Sequence, residues 1–338
     1  MSSTAGHDRG GPASRASRGG APRGSSSAAS ASRGGPALTR RARNARPAPA
    51  ADQARQAGTG GGHSPADRRR RELSQNYLRN PEAVRRFLRS VRPQPDGLCL
   101  EVGAGEGVLT ARLAAMFGEV IAYEVDANLA GRLTARVSDR GNVQVVLSDF
   151  LAARPPARPF QVVGNAPFSV TSAIVDWCLR APRLTAATLI TQREYARKRT
   201  GSYGRWTQLT VSTWPRFTWE LKGTIARTEF RPVPRVDAAI LRLERRAQPL
   251  ISPARQASYR RLVQAGFSGI GGSVQASLRR SYPPEQVAAA CASAGVDRRA
   301  VVAYVSPDQW VQIFLALDSG SRQQPRREAQ RRGTVTAR

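Results

Sequence analysis

The sequence predicts an α/β protein with a mostly parallel sheet, followed by a smaller helical region. Three observations predict this fold. Short apolar runs alternate with segments whose apolar residues recur at helical spacing. The runs end in small or acidic residues, which is typical of strands in an open parallel sheet. After about residue 248 only helical spacing remains, and 338 residues are enough for two folded domains.

The predicted order of elements begins near Leu73. Asn80 and Pro81 predict a helix start, an N-cap followed by proline at the first helical position. Helices are also predicted at Leu109–Phe117 and Ser172–Leu179. The predicted parallel strands are Leu98–Val102, Val120–Tyr123, Val143–Leu147, Phe160–Val163 and Ala186–Ile190.

Two later strand-like runs predict an antiparallel addition to the sheet. Phe217–Leu221 and Ala238–Leu243 have no clear helix between them, so we expect them to pair antiparallel at the sheet edge. Residues 249–318 are predicted to form a small helical domain, whose last helix begins at Ser306 and Pro307.

Charge is the strongest feature of the composition. The chain carries 53 Lys and Arg against 24 Asp and Glu, a net charge of +29. Residues 1–72 hold 14 Arg and four acids, and residues 319–338 hold six Arg and one acid. We expect both to be disordered basic segments. The first segment carries a net charge of +10 and the last +5, which leaves +14 on the residues between them. This charge indicates a polyanionic partner, of which nucleic acid is the first candidate.

Several protein classes are excluded by what the sequence lacks. No apolar run reaches the ~18–20 residues of a membrane span, and the first residues lack a signal peptide's apolar core, so we expect a cytoplasmic protein without membrane contact. The only histidines are His7 and His63, so we expect neither a Ser-His-Asp triad nor a His-bound metal. The isolated Cys99, Cys178 and Cys291 are predicted to be reduced core thiols.

The strongest local motif is a glycine-rich loop after the first strand, EVGAGEGVLT at residues 101–110. Gly103, Gly105 and Gly107 permit a tight turn and close approach of a ligand. A dinucleotide-binding loop would instead need glycine at Val108. The acidic residue before the loop favours a cationic ligand, such as the amino and sulfonium groups of S-adenosylmethionine (AdoMet). A glycine-rich turn without a ligand is the alternative.

Acidic residues also end the next two predicted strands. Glu124, about 20 residues past the loop, is placed to bind both hydroxyls of a ribose. Asp149 could accept a hydrogen bond from the exocyclic amine of an adenine. Each alone could be a solvated charge, but with Glu101 they end three successive strands, where open parallel sheets bind ligands.

The fourth strand ends in Asn165-Ala166-Pro167-Phe168. An Asn side-chain oxygen and a backbone carbonyl fixed by proline can accept both hydrogens of an exocyclic amine. The aromatic ring can stack on the base that carries this amine. A plain Asn-x-Pro turn is the alternative, and it is less favoured downstream of the glycine loop and the acids.

Residues 71–317 resemble the erythromycin-resistance (Erm) family of 23S rRNA adenine-N6 methyltransferases, of the kind found in macrolide-producing bacteria. The resemblance covers nearly all of the predicted ordered part. The matching pieces are Ser74-Gln-Asn-Tyr-Leu78, the glycine loop, Glu124, Asp149, Asn165–Phe168 and Phe230-Arg-Pro-Val-Pro-Arg-Val236.

The resemblance implies a Rossmann-like, AdoMet-dependent methyltransferase domain over residues 73–248 and an rRNA-binding helical domain over 249–318. It implies methyl transfer from AdoMet, without a metal, to N6 of one adenine in 23S rRNA, and resistance to macrolide, lincosamide and streptogramin B antibiotics. The partner would be large-subunit rRNA before full ribosome assembly, and we expect a monomer.

The resemblance also assigns residues by position. Those implied to contact AdoMet are Asn76, Leu78, Gly103, Glu124, Asp149 and Asn165. Those implied to act on the target adenine are Asn165, Phe168 and Phe230, with the two rings on opposite faces of the base. The family more often has Ile and Tyr where this chain has Ala166 and Phe168. Ala166 keeps the backbone carbonyl at its position, and Phe168 keeps the ring that stacks on the base.

Two alternatives remain open at this point. The related small-subunit rRNA adenine dimethyltransferases share the glycine loop and the Asn-x-Pro-aromatic motif. A noncatalytic RNA-binding protein could keep the same fold, although its motifs would then be free to decay. A basic cluster after the fifth strand is predicted to contact phosphates, or else to be a solvated face: Arg193, Arg197, Lys198, Arg199 and Arg205.

Overall fold

The computed structural model describes residues 76–269 and 272–319, and within them the apolar runs form a seven-stranded sheet. In chain order the strands, including a separate pair, are β1 (Tyr77–Leu78), β2 (Leu98–Val102), β3 (Glu119–Glu124), β4 (Val143–Leu147), β5 (Phe160–Gly164), β6 (Leu184–Gln192), β7 (Phe217–Ile225), β8 (Phe230–Arg231) and β9 (Ala238–Arg245). The large sheet has the order β4-β3-β2-β5-β6-β9-β7.

The directions of the strands confirm the predicted fold class. Strands β4, β3, β2, β5 and β6 are parallel, whereas β9 is antiparallel to both of its neighbours, β6 and β7. The antiparallel pairing expected at the sheet edge is therefore confirmed. The reversed strand itself, β9, lies one position in from that edge.

The helices follow the predicted order, with one shorter than expected. They are α1 (Pro81–Arg89), α2 (Thr110–Leu113), α3 (Ala127–Arg136), α4 (Thr171–Arg180), α5 (Arg193–Arg199), α6 (Gln208–Thr213), α7 (Gln256–Phe267), α8 (Val274–Leu278), α9 (Pro284–Ser293) and α10 (residues 307–319). Asn80 caps α1 as predicted, because its side chain accepts from the N–H groups of Glu82 and Ala83. The expected helix at Leu109–Phe117 becomes α2 followed by tighter turns, in which the N–H of Met116 bonds to the carbonyl of Leu113.

A two-stranded sheet of β1 and β8 was not predicted. Tyr77 pairs with Arg231 and Leu78 with Phe230, antiparallel. The carbonyl of Glu229 extends this pairing by accepting from the N–H of Arg79. Strands of two residues are too short to show an alternating pattern, so the sequence carries no signal for them.

The large sheet is covered on both faces. Along β2, Leu98, Leu100 and Val102 pack with α4 in one apolar cluster, whereas Cys99 packs with α1 in another. This alternation follows from the two-residue period of a strand. All three predicted core thiols are free and buried, as expected. None of the helices in the described part of the chain combines the length and apolar character that crossing a bilayer requires.

The helical part has its own apolar core, in which Trp310 is fully buried. Helix α6, which precedes β7, joins this core. Its Val211 side chain packs there, and its Val211 carbonyl accepts from the hydroxyl of Tyr259 on α7 at 3.0 Å. The predicted domain boundary near residue 248 stays a prediction. The predictions for the two basic ends, apart from Ser319 at the end of α10, and for Ser74 and Gln75 lie outside the described residues.

Candidate active site

A cavity of about 310 Å³ opens at the carboxyl ends of the central strands. Strands β3 and β4 lie on one side of β2, and β5 and β6 on the other, so the strand order reverses beside β2. This is where open α/β sheets bind ligands. Six of the predicted site residues line the cavity together: Asn76, Leu78, Gly103, Glu124, Asp149 and Asn165.

The glycine loop forms one wall of the cavity and requires left-handed backbone. Gly103, Gly105 and Gly107 have φ of 69°, 56° and 79°. A Cβ on Gly105 would also lie 2.8 Å from Cε1 of the Tyr77 ring. The ring of Tyr77 therefore packs directly on the loop backbone, and only glycine allows both the turn and this contact.

Glu124, at the end of β3, holds the loop in place. Its buried carboxylate accepts hydrogen bonds from the N–H of Gly105 at 2.7 Å and from those of Val125 and Asp126 at 2.9 Å. A carboxylate offers about four acceptor positions, so one remains after these three bonds. Glu124 thus organises the loop in addition to facing the cavity, a role the sequence did not predict.

Glu101, at the end of β2, lies in the opposite kind of environment. Its side chain is 0% exposed and lines the cavity, yet neither oxygen has a hydrogen-bond partner of good geometry among the described residues. Burial raises the pKa of Glu101 to about 8. The Thr110 hydroxyl lowers this pKa, and the nearby charge of Glu124 raises it further. An unpaired buried carboxyl beside a cavity favours a cationic group of a ligand.

Beside β4 the cavity offers a carboxylate and apolar walls. Asp149 follows β4 and accepts from the N–H of Leu151 through Oδ1 at 2.9 Å. Aromatic and aliphatic side chains complete the lining: Tyr123, Phe150, Leu151, Val170 and Ile174. The sequence did not indicate them as site residues, because their positions depend on packing between distant strands.

Asn165, directly after β5, has its amide orientation fixed by the N-terminal segment. Its Nδ2 donates to the carbonyl of Asn76 at 2.8 Å. The amide nitrogen is thereby used within the protein, and the side-chain oxygen is the group left to accept from a ligand. Ala166 and Pro167 also line the cavity.

The two predicted aromatic residues do not line the cavity. Phe168 begins a short turn after Pro167, and its half-buried ring packs against the cluster that contains α1. Its neighbours Pro167 and Ser169 do line the cavity, so Phe168 lies beside it. Phe230 is 0% exposed within the same cluster and is paired with Leu78, so in this structure it offers no face to a base.

The five basic residues predicted to contact phosphates differ in their partners within the protein. Arg199 donates to the Thr207 hydroxyl at 3.0 Å and lies over the Tyr195 ring, so it holds the loop together. Two more are paired with acids: Arg193 with Asp237 and Lys198 with Glu194. The remaining two, Arg197 and Arg205, form no ion pair among the described residues and lie beside tyrosine rings.

The charge of the lining suits AdoMet, because Glu101, whose oxygens have no hydrogen-bond partner of good geometry among the described residues, can pair with a cationic group once it ionises. Within the described residues, no group of three or more His, Cys, Asp or Glu could hold a metal ion. The parallel sheet and a cavity with this lining at its strand ends are the arrangement expected of an AdoMet-dependent methyltransferase.

Comparison with known proteins narrows that class. The family model described as ribosomal RNA adenine dimethylase matches residues 66–319, so the chain belongs to that family. An rRNA adenine N-6-methyltransferase of Aeromicrobium erythreum is 52% identical over 263 residues, 78% of this chain and 77% of the relative.

Two further relatives carry more specific names. The mycinamicin-resistance protein MyrB of Micromonospora griseorubida is 33% identical, over 78% of this chain and 84% of its own. The crystal structure of the 23S rRNA methyltransferase ErmE is 50% identical, with a TM-score of 0.70, and covers 72% of this chain and 100% of that one.

Proposed function

We propose that the protein transfers methyl groups from AdoMet to N6 of a specific adenine in 23S rRNA and so confers resistance to macrolide, lincosamide and streptogramin B antibiotics. The single observation that carries the proposal is Asn165, whose amide is oriented by Asn76 at the cavity. Similarity to a 23S rRNA methyltransferase and to a mycinamicin-resistance protein supports the choice of substrate and phenotype.

The cavity residues divide the binding of AdoMet among them. Gly103 and Glu101 line the part of the cavity that suits the methionine end, because a cationic group bound there favours ionisation of the Glu101 carboxyl and pairs with it. Glu124 has one acceptor position left for the ribose. Asp149 accepts from the adenine amine, and the segment of Asn76 and Leu78 closes the cavity. Bound AdoMet supplies an electrophilic methyl group on a positively charged sulfur.

The reaction requires the chain to orient a poor nucleophile. The lone pair of adenine N6 is delocalised into the ring. When the Asn165 Oδ1 and the Ala166 carbonyl accept both N6 hydrogens, the nitrogen becomes more tetrahedral and its lone pair points away from the ring. Holding this amine in line with the methyl group lowers the barrier by proximity. The proton that N6 loses after methyl transfer passes to solvent, so this arrangement needs no protein base, in agreement with a sequence whose only histidines are His7 and His63.

The target base has to leave any stack before it can enter the cavity. Phe168, beside Pro167, is proposed to stack on it. The same role for Phe230 stays a prediction, and it would require this buried ring to become exposed. The protein is further proposed to act in the cytoplasm, as a monomer, on large-subunit rRNA before ribosome assembly is complete.

The test is to express wild type, Asn165→Ala and Asn128→Ala in a drug-sensitive bacterium and to analyse rRNA fragments by mass spectrometry. Wild type and the control at Asn128, an exposed residue of α3, are expected to methylate one adenine N6 in 23S rRNA and to confer macrolide resistance. Asn165→Ala should lose both effects while purified protein still binds AdoMet.

Two results would contradict the proposal. Modified adenines confined to small-subunit rRNA would identify the enzyme as a small-subunit dimethyltransferase. No modified adenine in either subunit, from a folded protein that binds AdoMet, would indicate a noncatalytic RNA-binding protein.

A further inference from the structure

Two exposed tyrosines lie on one surface, outside the cavity, and each is in contact with an arginine. The Tyr203 side chain is 42% exposed and that of Tyr304 is 54% exposed. The guanidinium of Arg197 lies 4.0 Å from the Tyr203 ring centroid, and that of Arg205 lies 5.5 Å from the Tyr304 ring centroid. We call these four residues the tyrosine–arginine surface.

The loop that carries Tyr203 is rigidly built. Gly201, with φ of 70°, turns the chain so closely over Trp206 that a Cβ would lie 2.6 Å from that ring. The ring of Trp206 packs edge-on against Trp214, at 5.7 Å between centroids. The turn that carries Tyr203 is therefore supported by the packing of Gly201 on Trp206.

The second tyrosine belongs to the helical part, and the same loop contacts it. The N–H of Trp206 donates to the carbonyl of Ala303 at 2.7 Å. Arg205 Nε donates to the hydroxyl of Tyr304 at 3.1 Å. These two bonds make one continuous surface from the loop of Tyr203 and the turn of Tyr304.

The arginines of this surface are not neutralised. Neither Arg197 nor Arg205 forms an ion pair with a carboxylate among the described residues, in contrast to Arg193 and Lys198 of the same segment. Guanidinium groups without ion pairs beside exposed aromatic rings are typical of surfaces that bind single-stranded nucleic acid. Bases stack on the rings, and phosphates bind the guanidinium groups.

From this arrangement we propose that the tyrosine–arginine surface binds unpaired nucleotides of the RNA substrate, by stacking bases on Tyr203 and Tyr304. The proposal rests on the proposed function for the identity of that RNA. The segment starts directly after β6, whose carboxyl end lies at the same sheet edge as the cavity. Nucleotides flanking a target adenine would therefore pass this edge. A protein partner is less favoured, because Tyr203 and Tyr304 each lie against an arginine that forms no ion pair among the described residues.

The experiment measures binding of a fluorescent single-stranded oligouridylate to the full-length protein without AdoMet. Oligouridylate has no adenine, so its binding is independent of methylation of a target, and the tyrosine variants isolate the contribution of this surface. Replacing both tyrosines with alanine should weaken binding about 5- to 150-fold for each stacked base. Replacing both with phenylalanine should leave binding within about twofold, because the ring faces remain.

Controls separate stacking from charge and from misfolding. Val301→Ala, a change of a 46% exposed residue before the Tyr304 turn, should bind oligouridylate and AdoMet like wild type. Replacing Arg197 and Arg205 with glutamine should reduce the salt dependence by about 0.7 in log–log slope for each lost phosphate contact. The tyrosine-to-alanine variants should keep the wild-type slope.

Three outcomes would overturn the proposal. They are wild-type affinity of the alanine variant, an equal loss in the phenylalanine variant, and an equal loss of affinity for duplex RNA of the same length. The first of these outcomes, wild-type affinity of the alanine variant, would also favour a protein partner for this surface. Since no arm requires methylation, failure here is distinct from failure to modify 23S rRNA.

Discussion

Two buried carboxyls line the cavity, and their surroundings give them opposite roles. Glu124 accepts three backbone N–H bonds and so fixes the glycine loop. Glu101 has no such partner and carries a pKa raised by burial. One carboxyl is thus satisfied by the fold, whereas the other is available to a ligand.

We predict that Glu101→Gln removes a pH dependence of stability. An unfolded Glu loses its proton near pH 4.5, but the folded Glu101 keeps it to about pH 8. Between these values the folded state binds more protons, so the free energy of unfolding contributed by this group falls as pH rises. It is fully present below pH 4.5 and lost through pH 8.

The measurement is urea unfolding of ligand-free wild type and Glu101→Gln at pH values from 5 to 8. Wild type should lose a few kcal/mol relative to the variant across this range, given 1.36 kcal/mol for each pKa unit. Parallel stability profiles would show that Glu101 is already ionised in the folded protein.

At the residue scale the sequence predicted the cofactor side of the site better than the target side. Of the six predicted residues that line the cavity, four follow from strand ends and a glycine motif, which are local signals, whereas Asn76 and Leu78 follow from the family resemblance. The bond from Asn165 to Asn76, the burial of Phe230 and the elevated pKa of Glu101 depend on packing between distant segments. Such packing leaves no mark in a local pattern.

At the scale of elements the same distinction holds. Strand β2 was predicted with its observed bounds because a buried apolar run is bounded by turn residues. Strand β7 extends to Ile225, beyond its predicted end, because a register irregularity between Leu221 and Gly223 interrupts the pattern. The β1–β8 pair joins segments more than 150 residues apart, which no local pattern can indicate.

Helix α1 allows a test of one element. Its cap, Asn80, accepts from the N–H of Glu82 at 2.8 Å and of Ala83 at 3.4 Å. Asn80→Ala should lower the free energy of unfolding by about 1 kcal/mol, whereas Asn80→Asp, which keeps the acceptor, should change it much less. Urea unfolding measures both. Equal stability of the alanine variant and wild type would show that the cap is dispensable.

At the scale of the whole molecule, about a third of the net positive charge lies in a segment that contributes no residue to the described lining of the cavity. The cavity-lining residues lie between Asn76 and Ile174. Residues 1–70 carry 13 Arg against three acids, and the chain as a whole carries +29. Cofactor binding and attraction of a polyanion can therefore be separated by deletion.

Removing residues 1–70 should leave AdoMet affinity within about twofold of wild type, because none of the described lining residues is lost. It should weaken binding of a 23S rRNA fragment and reduce its salt slope, since each phosphate contact contributes roughly 0.7–0.9 to that slope. Calorimetry and binding titrations over a range of salt concentrations measure the two effects. An unchanged slope would show that the first 70 residues do not contact RNA.

The hydrogen bond between Asn165 and Asn76 implies an energetic link between the two substrates. Asn76 belongs to the segment proposed to close over AdoMet, and Asn165 is the group proposed to hold the target amine. Ordering of this segment by one substrate would thus prepare the acceptor for the other. Linkage requires the effect to be reciprocal: whatever factor AdoMet adds to the affinity for RNA, RNA must add to the affinity for AdoMet.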